Sequence, residues 1–368
     1  MKATAAVLRE IDQPLSIEEV ELDELQDDEV LVEIKGAGIC HTDMTAIDGT
    51  VPLPLPTVLG HEGSGVVAAV GAAVTSVAPG DHVVLSFGHC GECRICSAGR
   101  PAYCELFAPL NYFGTRLDGS VTLHGHDHGE DVHGNWFQQS SFASRAIAKA
   151  TNTVKVPDDV PIELLGPLGC GIQTGAGTVL NVLRAREGEG IAIFGLGGVG
   201  LAAVMAAKAV GCAPIVAVDT NPERLALATE LGATDVFDPA RHRDLVWDVM
   251  QIAAPGLDHA FDTVGTGPVV RQCLEVLRSP GHAATVGFQG LENEITIDQG
   301  HLMLGRTLSG VIEGDSDPQQ LIPELIAMHR AGRFPFDRLI ETFPFERIND
   351  ALAASTAGRV VKPVVVFA

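Results

Sequence analysis

Four cysteines within 15 residues are the sharpest chemical signal in this chain: Cys90-x2-Cys93-x2-Cys96-x7-Cys104. Four thiolates can close a tetrahedral shell around zinc at roughly 2.3 Å and leave no position open, so such a site is structural. An iron–sulfur cluster is the chemical rival, but the spacing matches neither of the usual ferredoxin runs. A second set is dispersed along the chain: Cys40, His61 and Cys170. Two thiolates and an imidazole leave a fourth position free, which is the composition of a catalytic zinc shell. The surrounding residues, GICHTD at 38–43 and GHEG at 60–63, set carboxylates and hydroxyls beside these ligands. A ligating imidazole needs such an acceptor for its other nitrogen.

A third signal binds phosphate. Gly195-Leu196-Gly197-Gly198-Val199-Gly200 fits G-x-G-x-x-G, and it sits where that motif needs to sit, between an apolar run and a helix-like run. Gly195 permits the tight turn, Gly197 lets a pyrophosphate approach the backbone, and Gly200 lets the helix pack on the sheet. Free N–H groups and the positive dipole end at the helix start attract the phosphates. Asp219 ends the next apolar run, where a carboxylate accepts the ribose hydroxyls and repels a 2′-phosphate. NAD is therefore expected over NADP.

These groups need two kinds of scaffold. The first stretch reads as β-rich, with short apolar runs at Val30–Ile34 and Gly63–Val70 and turn punctuation such as Pro79-Gly80-Asp81. From about Gly188 the texture changes. Apolar runs at Ile191–Phe194, Ile215–Val218, Ala260–Val264, Ala283–Phe288 and Leu308–Ile312 alternate with helical or turn segments. One of these helices opens at Asn221-Pro222-Glu223, with Asn as cap and Pro in the first turn. Alternating strand and helix predict a parallel sheet covered on both faces. A polar stretch near residues 123–135 carries His124, His126, His128 and His133 and reads as a solvated loop, with metal binding as the alternative.

Composition narrows the function classes. The 368 residues suggest two domains, and 46% hydrophobic content is enough for real cores. A net charge of -23 repels nucleic acid and anionic membranes. The Ile191–Ala207 run is uncharged but short for a span and interrupted by glycines, so a strand, turn and buried helix are expected. Met1–Glu10 lacks the pattern of a secretory leader, and a soluble, cytoplasmic protein is expected. Clustered cysteines then read as metal ligands before disulfides. Cys212 and Cys273 read as buried packing.

In order and interval, the quoted motifs, together with GCGIQTG at 169–175 and VD at 218–219, resemble the zinc-containing medium-chain alcohol dehydrogenases over essentially the whole chain. The resemblance implies an α/β protein: a GroES-like β-rich catalytic domain at 1–171 and 313–368, with the zinc lobe near 88–105, and a Rossmann domain at 172–312. The active site would lie in the cleft between them. It implies two zinc ions per subunit, a catalytic one on Cys40, His61 and Cys170 and a structural one on Cys90, Cys93, Cys96 and Cys104. By the same resemblance Glu62 would lie near the catalytic metal, Asp43 would orient His61, and Thr42 would take the substrate proton. Thr174 and Val199 would pack on the nicotinamide, Arg224 would approach the adenosine ribose, and His41 and Lys362 would meet the pyrophosphate. The animal liver branch has a histidine five residues after the first zinc cysteine; here Thr45 stands there, so the proton is expected to leave through His41 or water.

Within the family, the segments at 170–175 and 111–120 look most like the aryl-alcohol (benzyl alcohol) dehydrogenases. NAD-dependent oxidation of primary aromatic or allylic alcohols, such as benzyl alcohol or geraniol, is the expected reaction. Trp136 and Phe137 either face the cleft, where they would suit a flat ring, or are ordinary core packing, and the small Ser86 would widen the pocket. Glutathione-dependent formaldehyde dehydrogenase, which shares the CHTD motif, is the rival enzyme. A non-catalytic zinc-binding protein is the rival of another class. A homodimer or homotetramer is implied.

Overall fold

The computed structural model describes residues 1–126 and 129–368; Asp127 and His128, the latter part of the histidine-rich stretch, lie outside the described residues. The chain forms two compact units. The first holds Met1–Cys170, Asp317–Glu324 and Asp337–Ala368, and the second Gly171–Ser316 and Leu325–Phe336. The units divide after Cys170, and residues 313–316 and 325–336 lie in the second.

The first unit is built on two sheets. The strand Glu29–Gly38 pairs antiparallel with Gly63–Val70, Arg145–Lys149 and Lys362–Val366, which ties the end of the chain to its beginning. Glu29 to Val32 are all buried along this strand, so its first half is covered on both faces, and Ile34 continues the buried row. Gly36 and Gly65 lie where backbones cross closely: a Cβ on Gly65 would meet the Glu33 carbonyl oxygen at 2.0 Å. The other sheet places Lys2–Leu8 between Ser16–Leu22 and Thr57–Val58. Part of the histidine-rich stretch is not loop but a short antiparallel pair, Leu123–Gly125 with Asp131–Val132. His124 and His126 there bond to Asp131 and to Glu19 and Glu21.

The second unit is a six-stranded, all-parallel sheet. Its order is Asp235–Phe237, Ile215–Val218, Ile191–Phe194, Leu257–Asp262, Leu277–Thr285, Thr307–Gly310. In sequence order this is 3-2-1-4-5-6, the doubly wound dinucleotide-binding topology, and its switch point lies at the carboxyl end of Ile191–Phe194. The run scored against a membrane span resolves into that strand and the helix Gly198–Val210, and among the described residues no helix is long and apolar enough to cross a membrane. Phe194, Val216, Val218, Val249, Leu274 and Cys273 form part of the core, so Cys273 is packing. Asn221 caps its helix, its side chain accepting from the Glu223 and Arg224 N–H groups.

Candidate active site

The catalytic-type set comes together within the first unit. The ligand atoms of Cys40, His61 and Cys170 all lie within 4.8 Å of one another. Cys40 lies two residues past the strand Glu29–Gly38 and caps the short helix His41–Ile47; His61 follows Thr57–Val58; Cys170 follows a 3-10 turn at Gly166–Gly169. Packing at that turn is tight: a Cβ on Gly169 would meet the Leu85 carbonyl oxygen at 2.0 Å, and one on Gly166 the Glu62 carbonyl oxygen at 2.0 Å.

His61 is fully buried, and its Nδ1 is 2.8 Å from Asp43 Oδ1. The carboxylate takes the Nδ1 proton, so Nε2 presents a lone pair. That Nε2 is buried and makes no hydrogen bond. A buried acceptor without a partner is costly, and here it faces two thiols. The hydrogen-bonded Cys170 holds the Cys40 thiol well below its ordinary range, and the His61 ring adds to this, both outweighing burial. Burial works against a charge on His61, but the Asp43 and Cys40 charges outweigh it and raise its pKa. The site thus draws a positive charge to the point between these atoms. An orphaned imidazole nitrogen, two sulfurs and an excess of negative charge fit a zinc ion.

Asp43 also accepts the Cys40 and Gly60 N–H groups at 3.1 Å each. Thr42 Oγ1 lies 3.8 Å from Cys40 Sγ. Thr45 is buried and donates its hydroxyl to the Thr42 carbonyl, while His41 is exposed at the start of the same helix. Glu62 is buried beside His61 and paired with Lys362 Nζ at 2.8 and 2.9 Å. Lys362 therefore does not stand as an exposed cation ready for a pyrophosphate. It is buried, and a third bond goes to the Ile39 carbonyl at 3.1 Å. Burial opposes its charge, but Glu62 outweighs burial and raises its pKa.

The four-cysteine lobe is equally well formed, with its sulfurs also within 4.8 Å of one another. Backbone N–H groups point at three of the sulfurs: Cys93 N–H at Cys90, Cys96 N–H at Cys93, and those of Cys90 and Leu106 at Cys104, over 3.3–3.4 Å. Such donors stabilise thiolate, and they bring the Cys93 thiol down to about 6, the Glu105 backbone contributing most. Burial and the neighbouring Cys93 sulfur push Cys96 the other way. A tetrad that cannot ionise fully by itself is completed by a divalent cation. Among the described residues these two clusters are the groups that could hold a metal, and His124, His126 and His133 form no third.

In the second unit, the glycine loop is shaped as its motif demands. Gly195 has φ of +86°, and a Cβ on Gly200 would meet the Gly195 carbonyl oxygen at 1.8 Å. A Cβ on Gly197 would meet nothing, which leaves open space over the backbone where a phosphate would lie. Gly198 and Val199 begin the helix. Asp219 accepts from the Leu196 N–H at 2.6 Å and the Asn221 N–H at 2.8 Å, one on each oxygen, and a carboxylate has lone pairs to spare for hydroxyls. Arg224 lies one turn into the following helix, its Nε buried and without a partner. Thr174 and Val199 lie on adjoining helices, for a Cβ on Gly175 would meet the Val199 carbonyl oxygen at 2.0 Å.

Three groups differ from or were absent from the sequence reading. The Glu62–Lys362 pair was not foreseen. Ser86, expected to widen a pocket, is fully buried and donates to the Gly169 carbonyl at 2.7 Å. Trp136 and Phe137 are buried beside His61: the indole N–H donates to Asp43 Oδ1 at 2.9 Å, and Phe137 stacks on the His61 ring at 4.4 Å between centroids. The sequence signal was a run of amides and hydroxyls, Asn135 to Ser141, around two aromatics, and nothing in it named a partner.

Comparison with known proteins agrees with this geometry. Residues 26–158 match the alcohol dehydrogenase GroES-like domain and residues 198–328 the zinc-binding dehydrogenase family. A geraniol dehydrogenase of Castellaniella defragrans is 46% identical, over 100% of this chain and 98% of that protein. The crystal structure of an alcohol dehydrogenase zinc-binding domain protein from Burkholderia ambifaria superposes with a TM-score of 0.98 at 47% identity, covering 100% of this chain and 99% of that one. Benzyl alcohol dehydrogenase from Acinetobacter calcoaceticus superposes with a TM-score of 0.96 at 41% identity, covering 100% of both chains. With its zinc-ligand sets, glycine loop and strand order all in place, the chain belongs to the zinc-dependent medium-chain alcohol dehydrogenases, in their aryl-alcohol branch.

Proposed function

We propose that this protein is a zinc- and NAD-dependent dehydrogenase that interconverts primary aromatic or allylic alcohols, of the benzyl alcohol and geraniol kind, with their aldehydes. The observation that carries the reaction class is the unpartnered His61 Nε2 facing two thiols, one of them held toward thiolate. The substrate class rests on the geraniol and benzyl alcohol dehydrogenases that the chain resembles along its whole length.

Cys40, His61 and Cys170 would hold the catalytic zinc, and Cys90, Cys93, Cys96 and Cys104 a second, structural ion. When bound, the catalytic zinc supplies a Lewis acid that makes an alcohol hydroxyl more acidic, and NAD supplies the hydride acceptor. The chain's own residues do the rest. Thr42 Oγ1, close to Cys40, takes the hydroxyl proton, and His41 or water carries it to solvent. Thr45 helps by pinning the Thr42 carbonyl. Asp43 keeps the Nδ1 proton of His61 in place. Asp219 receives the ribose hydroxyls, and its charge disfavours a 2′-phosphate. A homodimer or homotetramer in the cytoplasm is proposed on the family resemblance.

The test pairs wild type with Cys40→Ser, scored for zinc content and for benzyl alcohol oxidation with NAD and NADP. Two zinc ions per chain, NAD-preferring turnover, and a variant that keeps one ion and loses turnover are expected. A variant with wild-type turnover would overturn the assignment.

A further inference from the structure

His61 is held by more than Asp43. The segment Asn135–Ser141 wraps around it as a strap. Trp136 Nε1–H donates to Asp43 Oδ1 at 2.9 Å, and the same oxygen takes the His61 Nδ1–H at 2.8 Å and the Gly60 N–H at 3.1 Å. Phe137 lies over the imidazole with its plane tilted by 22°. Gln139 grips the backbone on both sides of Glu62: its Nε2 donates to the His61 carbonyl and its Oε1 accepts from the Gly63 N–H, each at 3.0 Å. Ser140 Oγ accepts from the Trp136 N–H at 3.0 Å and donates to the Val58 carbonyl at 2.7 Å, fastening the strap to the residues before His61.

The strap is held in a costly conformation. Asn135, Phe137, Gln138 and Ser140 have φ of 62°, 52°, 53° and 47°. A non-glycine residue in such a region costs about 1–3 kcal/mol and persists only where its surroundings impose it. Ordinary core packing of a tryptophan and a phenylalanine does not need four such residues in six. In this conformation two rings and an amide are brought onto one histidine.

We propose that Trp136 is a positioning residue for the metal-binding histidine. Its N–H is the third donor on Asp43 Oδ1 and fixes the carboxylate's rotation, which fixes the direction of His61 Nε2; Phe137 restrains the ring from its face. Nδ1 carries the proton that Asp43 accepts, so the indole N–H, although 3.3 Å from Nδ1, has only the carboxylate to donate to. Both aromatics thus bear on the metal-binding histidine. This inference rests on Cys40, His61 and Cys170 being a zinc site.

The chain has two tryptophans, and Trp247 is 63% exposed, so Trp247→Phe leaves Trp136 as the sole indole. In that background, biosynthetic replacement of Trp136 by β-(3-benzothienyl)alanine puts sulfur in place of the N–H and keeps the ring's shape. Trp136→Phe is the second variant. Zinc transfer from the holoenzyme to a chelating indicator is followed in time, and the phase belonging to the catalytic-type site is identified by its loss in Cys40→Ser. Partners of metal ligands are typically worth 10–100-fold in affinity or activity. That phase should quicken by about tenfold or more in both variants. The four-cysteine phase, the melting temperature of the benzothienyl protein and the KM for NAD should stay put, while the visible bands of the cobalt-substituted protein shift. Unchanged release and unchanged cobalt bands would overturn the inference and leave the zinc site standing. A wild type in which Cys40→Ser removes no phase would overturn both.

Discussion

Lys362→Met separates the structure from the sequence expectation at one residue. Lys362 Nζ reaches both oxygens of Glu62, at 2.8 and 2.9 Å, and their side chains are 5% and 0% exposed. Removing one partner of a buried pair costs about 3–5 kcal/mol, because the remaining charge is left uncompensated. Glu62 can escape that only by taking a proton. An ordinary carboxyl near pKa 4.3 is about 2.7 pH units from protonation at pH 7, and at about 1.36 kcal/mol per unit this is about 3.7 kcal/mol. Because burial already raises Glu62 in wild type, the second figure is an upper bound on the deficit, and it falls within the range of the first. Burial already holds the Glu62 carboxyl above its ordinary range with Lys362 in place, and losing Lys362 raises it further. Its contribution is then intact below pH ~4.3 and falls further in the variant than in wild type as pH rises, so the deficit against wild type should shrink to about 1 kcal/mol or less near pH 5. Urea unfolding at both pH values measures this, and Glu62→Gln added to Lys362→Met should recover most of the loss at pH 7. A variant as stable as wild type at pH 7, with a raised KM for NAD instead, would refute the reasoning and return Lys362 to the pyrophosphate.

Three further outcomes follow from the geometry. Cys96→Ser should lower zinc content from two to one per chain and reduce the melting temperature, because metal in a closed cysteine lobe contributes folding energy; unchanged zinc content and melting would contradict this. Asp219→Asn should narrow the preference for NAD over NADP by about tenfold, equal to about 1.4 kcal/mol, as read from kcat/KM for the two cofactors. Burial pushes the Asp23 carboxyl up, but the Arg116 guanidinium outweighs it and holds it below its ordinary range. Its contribution is therefore present above about pH 4 and lost as pH falls below it, and Asp23→Asn should flatten the acid limb of a melting-temperature profile.

What could be read from sequence was local or periodic. The cysteine lobe and the glycine loop declare themselves within 15 residues, and each alternation of strand and helix from Ile191 to Gly310 fills one place in the parallel sheet. Strand limits drifted where polar residues interrupt the apolar run: Leu257–Asp262 begins three residues before the expected Ala260, because His259 finds Glu189 as a partner at 2.9 Å. Lys362 and Glu62 are 300 residues apart, and no spacing rule links them. The strap around His61 was unreadable for a different reason. Positive φ at Phe137 and Gln138 is imposed by what they touch, and no local propensity favours it. Trp136 and Phe137 read from sequence as cleft-facing or core rings, and neither reading names their partners, Asp43 and His61.

The most direct test of the account is NADH formation by the zinc-replete protein, with benzyl alcohol, geraniol, ethanol and S-hydroxymethylglutathione assayed in parallel. Strong turnover of benzyl alcohol or geraniol with weak turnover of ethanol is the predicted result. Preference for the glutathione adduct, or no NADH from any of the four, would contradict it.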